Sequence, residues 1–252
     1  MARQEGIIKL KGRIGSLSFY KNQGSYLART KGGIDGERLK SDPRFERTRE
    51  NGREFLRAIK AGKLLRDAFR ERLYMTADNR MSGRLTSLFS KVIKSDAVSP
   101  RGERLVMAGQ LDLLNGFEFN FGSNLDKVFS GSYVVEFNRE TGLGEVNVAT
   151  FNPGMNFQKP EGATHAQLVL IAGEFDFDGL SYNTASGQSV AIDLSLQNQE
   201  ALTIQAQLNA NSTGAIVLML GVMFYQSVNG VQYKMNNGAS NALRVVHTLG
   251  VV

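Results

Sequence analysis

Residues 42–73, DPRFERTRENGREFLRAIKAGKLLRDAFRERL, constrain the fold more than any other stretch. Asp42 is a good N-cap, and Pro43 suits the first helical position, where a missing N–H is no loss. Phe55, Ala58 with Ile59, Gly62, Leu65, Phe69 and Leu73 recur at i+3/i+4 spacing, so the pattern predicts one long amphipathic helix with a narrow packing stripe. Ala58, Ala61 and Gly62 leave room for another backbone to approach. The other faces carry Arg44, Arg47, Arg53, Arg57, Lys60, Lys63, Arg66 and Arg70 as a basic surface, interrupted by Glu46, Glu50, Glu54, Asp67 and Glu71. Gly52 and Gly62 each disfavour helix by up to about 1 kcal/mol, which makes them the expected kink sites.

Ahead of this helix, Ile8 and Leu10 alternate with lysines, and Leu17 and Phe19 alternate with polar residues, between Gly12, Gly15 and Gly24. Period-two alternation between glycines reads as two or three short strands, with Asn22-Gln23-Gly24 as a hairpin turn. Such a β-arm, residues 1–33, buries too little to be stable alone and needs a docking surface. Ile8, Leu10, Leu17, Phe19, Tyr20 and Tyr26 are its candidate assembly residues.

After the long helix, Met81, Leu85, Leu88 with Phe89 and Val92 predict a second helix, and Ser99-Pro100 opens an expected helical turn running towards Leu114. Asn115-Gly116 ends a helical region spanning 34–115. From 116 to 252 the chain becomes a series of short β-rich runs: FEFNF, SYVVEFN, GEVNVATF, HAQLVLIAGEFDF, QSVAIDLSL, ALTIQAQL, AIVLMLGVMFYQ, VQYKM and NALRVVHTL. Turn residues separate them, including Gly142 and the Asn229-Gly230 pair. The expected class is α+β: a β-arm, a basic helical hairpin and an antiparallel β-sandwich of immunoglobulin-like or jelly-roll type.

The net charge of +6 conceals an asymmetry. Residues 1–110 hold 25 basic and 12 acidic side chains, and residues 111–252 hold 5 basic and 12 acidic. Parts of opposite sign point to two complementary surfaces or to a nucleic-acid arm. The chain has no cysteine, which removes disulfides, thiolate metal sites and cysteine nucleophiles. The longest apolar run, residues 215–225, is far short of the roughly 20 residues of a spanning helix, so no membrane span is expected. The start, MARQEGIIKLKG, shows no secretory signal. Cytoplasmic synthesis is expected, with non-classical release into an extracellular or particle assembly left open.

The blocks GIIKLKGRIGSLSFYKNQGSYLARTKGG, the 42–70 segment, SKVIKSDAVSPRGER and GVMFYQSVNGVQYKMNNGASNALRVV together resemble a family of uncharacterised bacterial proteins, a domain of unknown function. The resemblance covers most of the chain. It implies a bacterial origin and one architecture, basic first and β-rich after, and it implies no catalytic residues.

No constellation for chemistry stands out. The glycines form neither a phosphate-binding loop nor a dinucleotide fingerprint. His165 and His247 lie 82 residues apart without a serine or acidic motif beside either. Glu174, Asp176 and Asp178 are a weak candidate for a calcium site, since Ala185 stands where an EF-hand needs its final glutamate; a solvated strand face is the plainer reading. No cofactor and no enzymatic activity are expected. Phe19, Tyr20, Lys21, Tyr26, Arg29 and Lys31 interleave aromatic and basic side chains, as a single-stranded nucleic-acid surface requires, but without a recognised motif. The favoured expectation is a structural protein that assembles with itself into a filament, tube or shell. The alternative is a nucleic-acid-binding or packaging protein using the basic N-terminal region.

Overall fold

The computed structural model describes residues 2–30, 36–235 and 240–251. It divides into two compact units, Met1–Arg49 and Glu50–Val252. The expected domain boundary near 115 is absent, because the helices and the sheets of the second unit share a core.

In the first unit, β1 (Ala2–Arg3), β2 (Gly12–Ile14), β3 (Leu17–Asn22) and β4 (Ser25–Thr30) form an antiparallel sheet in the order β1-β4-β3-β2. Gln23 and Gly24, both at positive φ (45° and 82°), make the tight β3–β4 turn. Ile8 and Leu10 are not in strands: they lie in the loop from β1 to β2. The Gln4 side chain holds that loop, donating to the Leu10 and Leu27 carbonyls and accepting from the Leu10 N–H at 2.8 Å. Lys31, Gly32 and Gly33, at the expected end of the arm, fall outside the described residues. Helix α1 (Gly36–Ser41) follows, and Asp42 then accepts from the Arg44 N–H ahead of a 3-10 turn, Pro43–Phe45. The Arg44 guanidinium beside Asp42, aided by that N–H, holds its carboxyl at about 2.

The long helix is two helices, α2 (Glu46–Ala68) and α3 (Arg70–Thr76). Neither Gly52 nor Gly62 breaks it. The break is at Phe69 (φ −112°, ψ 19°), whose buried ring meets the Phe175 ring edge-on at 5.5 Å. Gly62 faces Leu85 and Phe89 of α4 (Met81–Lys94), where a Cβ would still fit at 3.7 Å. Met81, Leu85, Phe89 and Val92 of α4 are buried as their spacing predicts, each contributing about 1.5–3 kcal/mol. The expected helix after Ser99-Pro100 does not form. The buried Asp96 carboxylate collects the N–H groups of Val98, Ser99 and Leu105 instead, and only Leu111–Leu114 closes into a 3-10 turn.

The second unit has three layers. Its middle is a six-stranded antiparallel sheet built on β7 (His165–Asp176) and β11 (Ala215–Val228), which pair from Ala215↔Phe175 to Tyr225↔His165. The strands β8 (Ser181–Gln188) and β9 (Ile192–Asp193) pair with β7, and β12 (Val231–Lys234) and β13 (Ala242–Leu249) pair with β11. One face of β11 presents Val217, Met219 and Met223 to the helices, together with Val169, Ile171 and Phe175 of β7. The other face presents Ile216, Leu218, Leu220 and Val222 to a three-stranded sheet. That sheet, in the order β10-β6-β5, contains β5 (Tyr133–Asn138), β6 (Leu143–Val148) and β10 (Leu202–Gln207). The fold is therefore α+β with a sandwich of two antiparallel sheets, and the helices cover the outer face of the larger one. Gly173 lies under Phe69, where a Cβ would come within 2.7 Å of its ring. The FEFNF run is not a strand: Glu118 alone bridges to Arg244.

Candidate functional site

The register of the N-terminal sheet sorts its side chains onto two unlike faces, because directly paired residues project to the same side. The pairs Ile14↔Leu17, Phe19↔Ala28 and Lys21↔Tyr26 place an apolar row on one face. The pairs Arg13↔Ser18, Ser18↔Arg29, Tyr20↔Leu27 and Arg3↔Leu27 place three arginines and Tyr20 on the other. Lys21 lies over the Tyr26 ring and Arg29 over the Tyr20 ring, each at 5.5 Å from the centroid. Tyr20 thus stands apart from Leu17, Phe19 and Tyr26, with which the sequence grouped it. No described residue of 2–49 is buried. The sheet is a four-stranded ladder with no core among its described residues.

Most of the expected packing stripe of α2 is buried, and it is wider on the side of Glu54, Ala61 and Leu64 than the spacing alone indicates. The buried face is Glu54, Ala58, Ala61, Gly62, Leu64 and Leu65, continuing to Phe69 and Leu73. Phe55 (55% exposed) and Ile59 belong instead to an exposed apolar strip with Leu56.

The basic surface is largely engaged within the chain. Arg53 and Arg57 both donate to the Gly102 carbonyl, and Arg57 also to that of Arg104, so they fasten the 95–110 connector to α2. Glu54 accepts from the Gly102 N–H at 2.7 Å in the same joint. Arg44 pairs with Asp42, Arg70 with Asp67, and Arg66 donates to the Ser82 hydroxyl. Arg47, Lys60 and Lys63 are exposed.

Glu174, Asp176 and Asp178 do not converge. Glu174 accepts from the Gly214 N–H, Asp176 from those of Asp178 and Gly179, and Asp178 from those of Val106 and Met107. Among the described residues no three His, Asp or Glu side chains are gathered to hold a metal ion. Nor is any described helix long and apolar enough to cross a membrane.

Two further features were not legible as sites. The outer face of the three-stranded sheet sets Glu136 directly opposite Glu145, among Asn138, Asn147, Gln205 and Gln207. Like charges facing each other across strands disfavour the pairing. The second feature is a polar node beneath α4. Asp78 closes the turn ahead of α4 by accepting from the Arg80 N–H at 2.7 Å, accepts from the Phe121 N–H at 2.8 Å, and pairs with Arg84. Burial pushes the Asp78 carboxyl up, but these two N–H groups and the Arg84 guanidinium outweigh it and hold it below the usual carboxylate range. Arg84 also donates to the Glu118 carbonyl at 2.7 Å and lies 5.2 Å and 5.8 Å from the Phe117 and Phe121 ring centroids. Glu118 is pushed up to about 7, chiefly by burial; the Leu125 N–H and Arg244, at 3.8 Å, offset only part of it. Against known proteins, no family model, no curated protein and no solved structure matches this chain.

Proposed function

We propose that the chain is a structural protein that assembles with copies of itself, linked through its N-terminal sheet into a filament, tube or shell. The observation that carries this reading is a four-stranded sheet without one buried residue, apolar on one face and arginine-bearing on the other. A sheet of this kind gains stability only when something covers it. A second copy is the favoured cover because the chain itself presents the complementary surface. The Glu136 and Glu145 face of the three-stranded sheet opposes in sign the Arg3, Arg13 and Arg29 face of the arm. Docking one copy's arm on the next copy's sandwich joins two different surfaces, and such heterologous contacts propagate into rings or open helical polymers.

The test is electron microscopy and light scattering of the nuclease-treated protein, with two altered forms beside it. Deletion of residues 1–31 is expected to abolish polymers and leave a folded second unit. In the full chain, Arg3→Glu with Arg13→Glu and Arg29→Glu is expected to do the same by charge reversal. Polymers that persist in both forms, or a wild-type chain that stays monomeric as its concentration rises, refute the proposal.

A further inference from the structure

A groove runs along the exposed face of α4 and goes beyond the assembly reading. One part, about 480 Å³, is lined by Arg84, Ser87, Lys91, Phe117, Phe121 and Asn124 among others. A second part, about 410 Å³, is lined by Asp78, Asn79, Arg80, Arg84 and Phe121 with Gly122. Arg84 and Phe121 wall both, so the two parts adjoin at the Phe121 ring.

Four observations indicate what the groove accepts. Phe121 is 75% exposed, a large aromatic face turned to solvent. Its backbone is anchored by the N–H bond to Asp78, and its ring lies 5.8 Å from the Arg84 guanidinium. Arg84 is itself committed to Asp78 and to the Glu118 carbonyl, which makes it a fastening rather than a free charge. Two carboxylates also line it, Glu118 in the first part and Asp78 in the second, but Glu118 faces Arg244 and the Leu125 N–H and Asp78 pairs with Arg84, so the cations left for a ligand are Arg80 and Lys91, both exposed, one in each part of the groove. Eleven residues apart on one helix, they are separated by about 16 Å.

We propose that this groove binds a short stretch of single-stranded nucleic acid, with one base stacked on Phe121 and backbone phosphates held at Arg80 and Lys91. An exposed ring on an anchored backbone, between two exposed cations, is the arrangement that stacking plus phosphate contact requires. The separation matches at most about five nucleotides at the duplex rise of about 3.4 Å each, and fewer for an extended strand. Ser87, Asn79 and Asn124 line the walls with hydroxyl and amide groups able to meet base edges. An acidic peptide satisfies the cations equally well; stacking of a base on the flat ring is what distinguishes the nucleic acid, and the Phe121 variants test it.

The experiment uses the full chain and a fluorescein-labelled 12-mer of thymidylate, followed by anisotropy across a salt series. Phe121→Leu is expected to weaken binding about ten-fold at fixed salt, Phe121→Tyr to leave it near wild type, and Tyr74→Ala, an exposed ring elsewhere, to change nothing. Arg80→Gln with Lys91→Gln is expected to reduce the magnitude of the log–log salt slope by about 1.4, the contribution of two phosphates on a single strand. Circular dichroism checks that each variant is folded. The proposal is overturned if Phe121→Leu binds as wild type does, or if the salt slope survives loss of both cations. It is also overturned if the Arg80/Lys91 variant loses affinity for poly-L-glutamate but not for the oligonucleotide, which would make this a peptide groove.

Discussion

Replacing Glu118 by Gln should stabilise the protein, and the gain should depend on pH in a way the structure specifies. Its carboxyl sits among Arg244, Asp126, Tyr133 and Arg84, with one oxygen accepting from the Leu125 N–H and the other buried without a hydrogen-bond partner. Its value rises from 4.5 to about 7 on folding, so the folded state holds this proton more tightly than the unfolded chain does. Stability from the protonated form is therefore fully present below about 4.5 and is lost as pH rises towards 7. The whole shift corresponds to about 3 kcal/mol; with the site partly screened by solvent, about 2 kcal/mol is the expected change. Urea unfolding at pH 5 and pH 8 measures it. Wild type should lose about 2 kcal/mol more than Glu118→Gln between the two pH values, because groups common to both chains cancel in the comparison. Equal losses in the two chains would refute the account of Glu118 as a buried, proton-retaining carboxyl.

Two further substitutions test the packing. Gly173→Ala places a methyl within 2.7 Å of the Phe69 ring, so it should cost about 1–3 kcal/mol by denaturant unfolding; a neutral result would mean that the α2–α3 break is not seated on β7 as described. Gly52→Ala meets nothing within 4 Å on an exposed helical turn and should raise stability by up to about 1 kcal/mol in the same assay, and a loss would show that another group needs the space.

Elements with a strong single period were legible in the sequence. Met81, Leu85, Phe89 and Val92 lie on one buried face because large apolar residues carry that face alone. The phase of α2 was legible from Ala58, Gly62, Leu65, Phe69 and Leu73, all of which are buried, but not at its edges, where Phe55 and Ile59 are exposed and Glu54 is buried. Strand β8, SYNTASGQ, has no apolar alternation; it is held by its ladder to β7 rather than by a core face. The stretch after Ser99-Pro100 resembles a helix start, yet Asp96 captures the local N–H groups first. Composition counts Arg53, Arg57, Arg66 and Arg70 as surface charge, whereas hydrogen bonds to carbonyls, a hydroxyl and Asp67 decide where they are directed. The FEFNF run reads as a strand, but only Glu118 bridges to Arg244, and Phe121 is exposed while Phe117 and Phe119 are buried.

The strands β7 and β11 are covered on both faces, and this has a consequence for how the second unit comes apart. Removing the helices uncovers Val217 and Met219, and removing the three-stranded sheet uncovers Leu218 and Leu220, on the same strand. Neither cover can leave without wetting a sheet that the other still needs. The helical and β layers should therefore melt as one cooperative transition, with coincident loss of far-ultraviolet helix signal and tyrosine near-ultraviolet signal. An early, separate helix transition would show that the two covers are independent. The N-terminal sheet belongs to the other compact unit, has no buried residue among those described, and should not share in that transition.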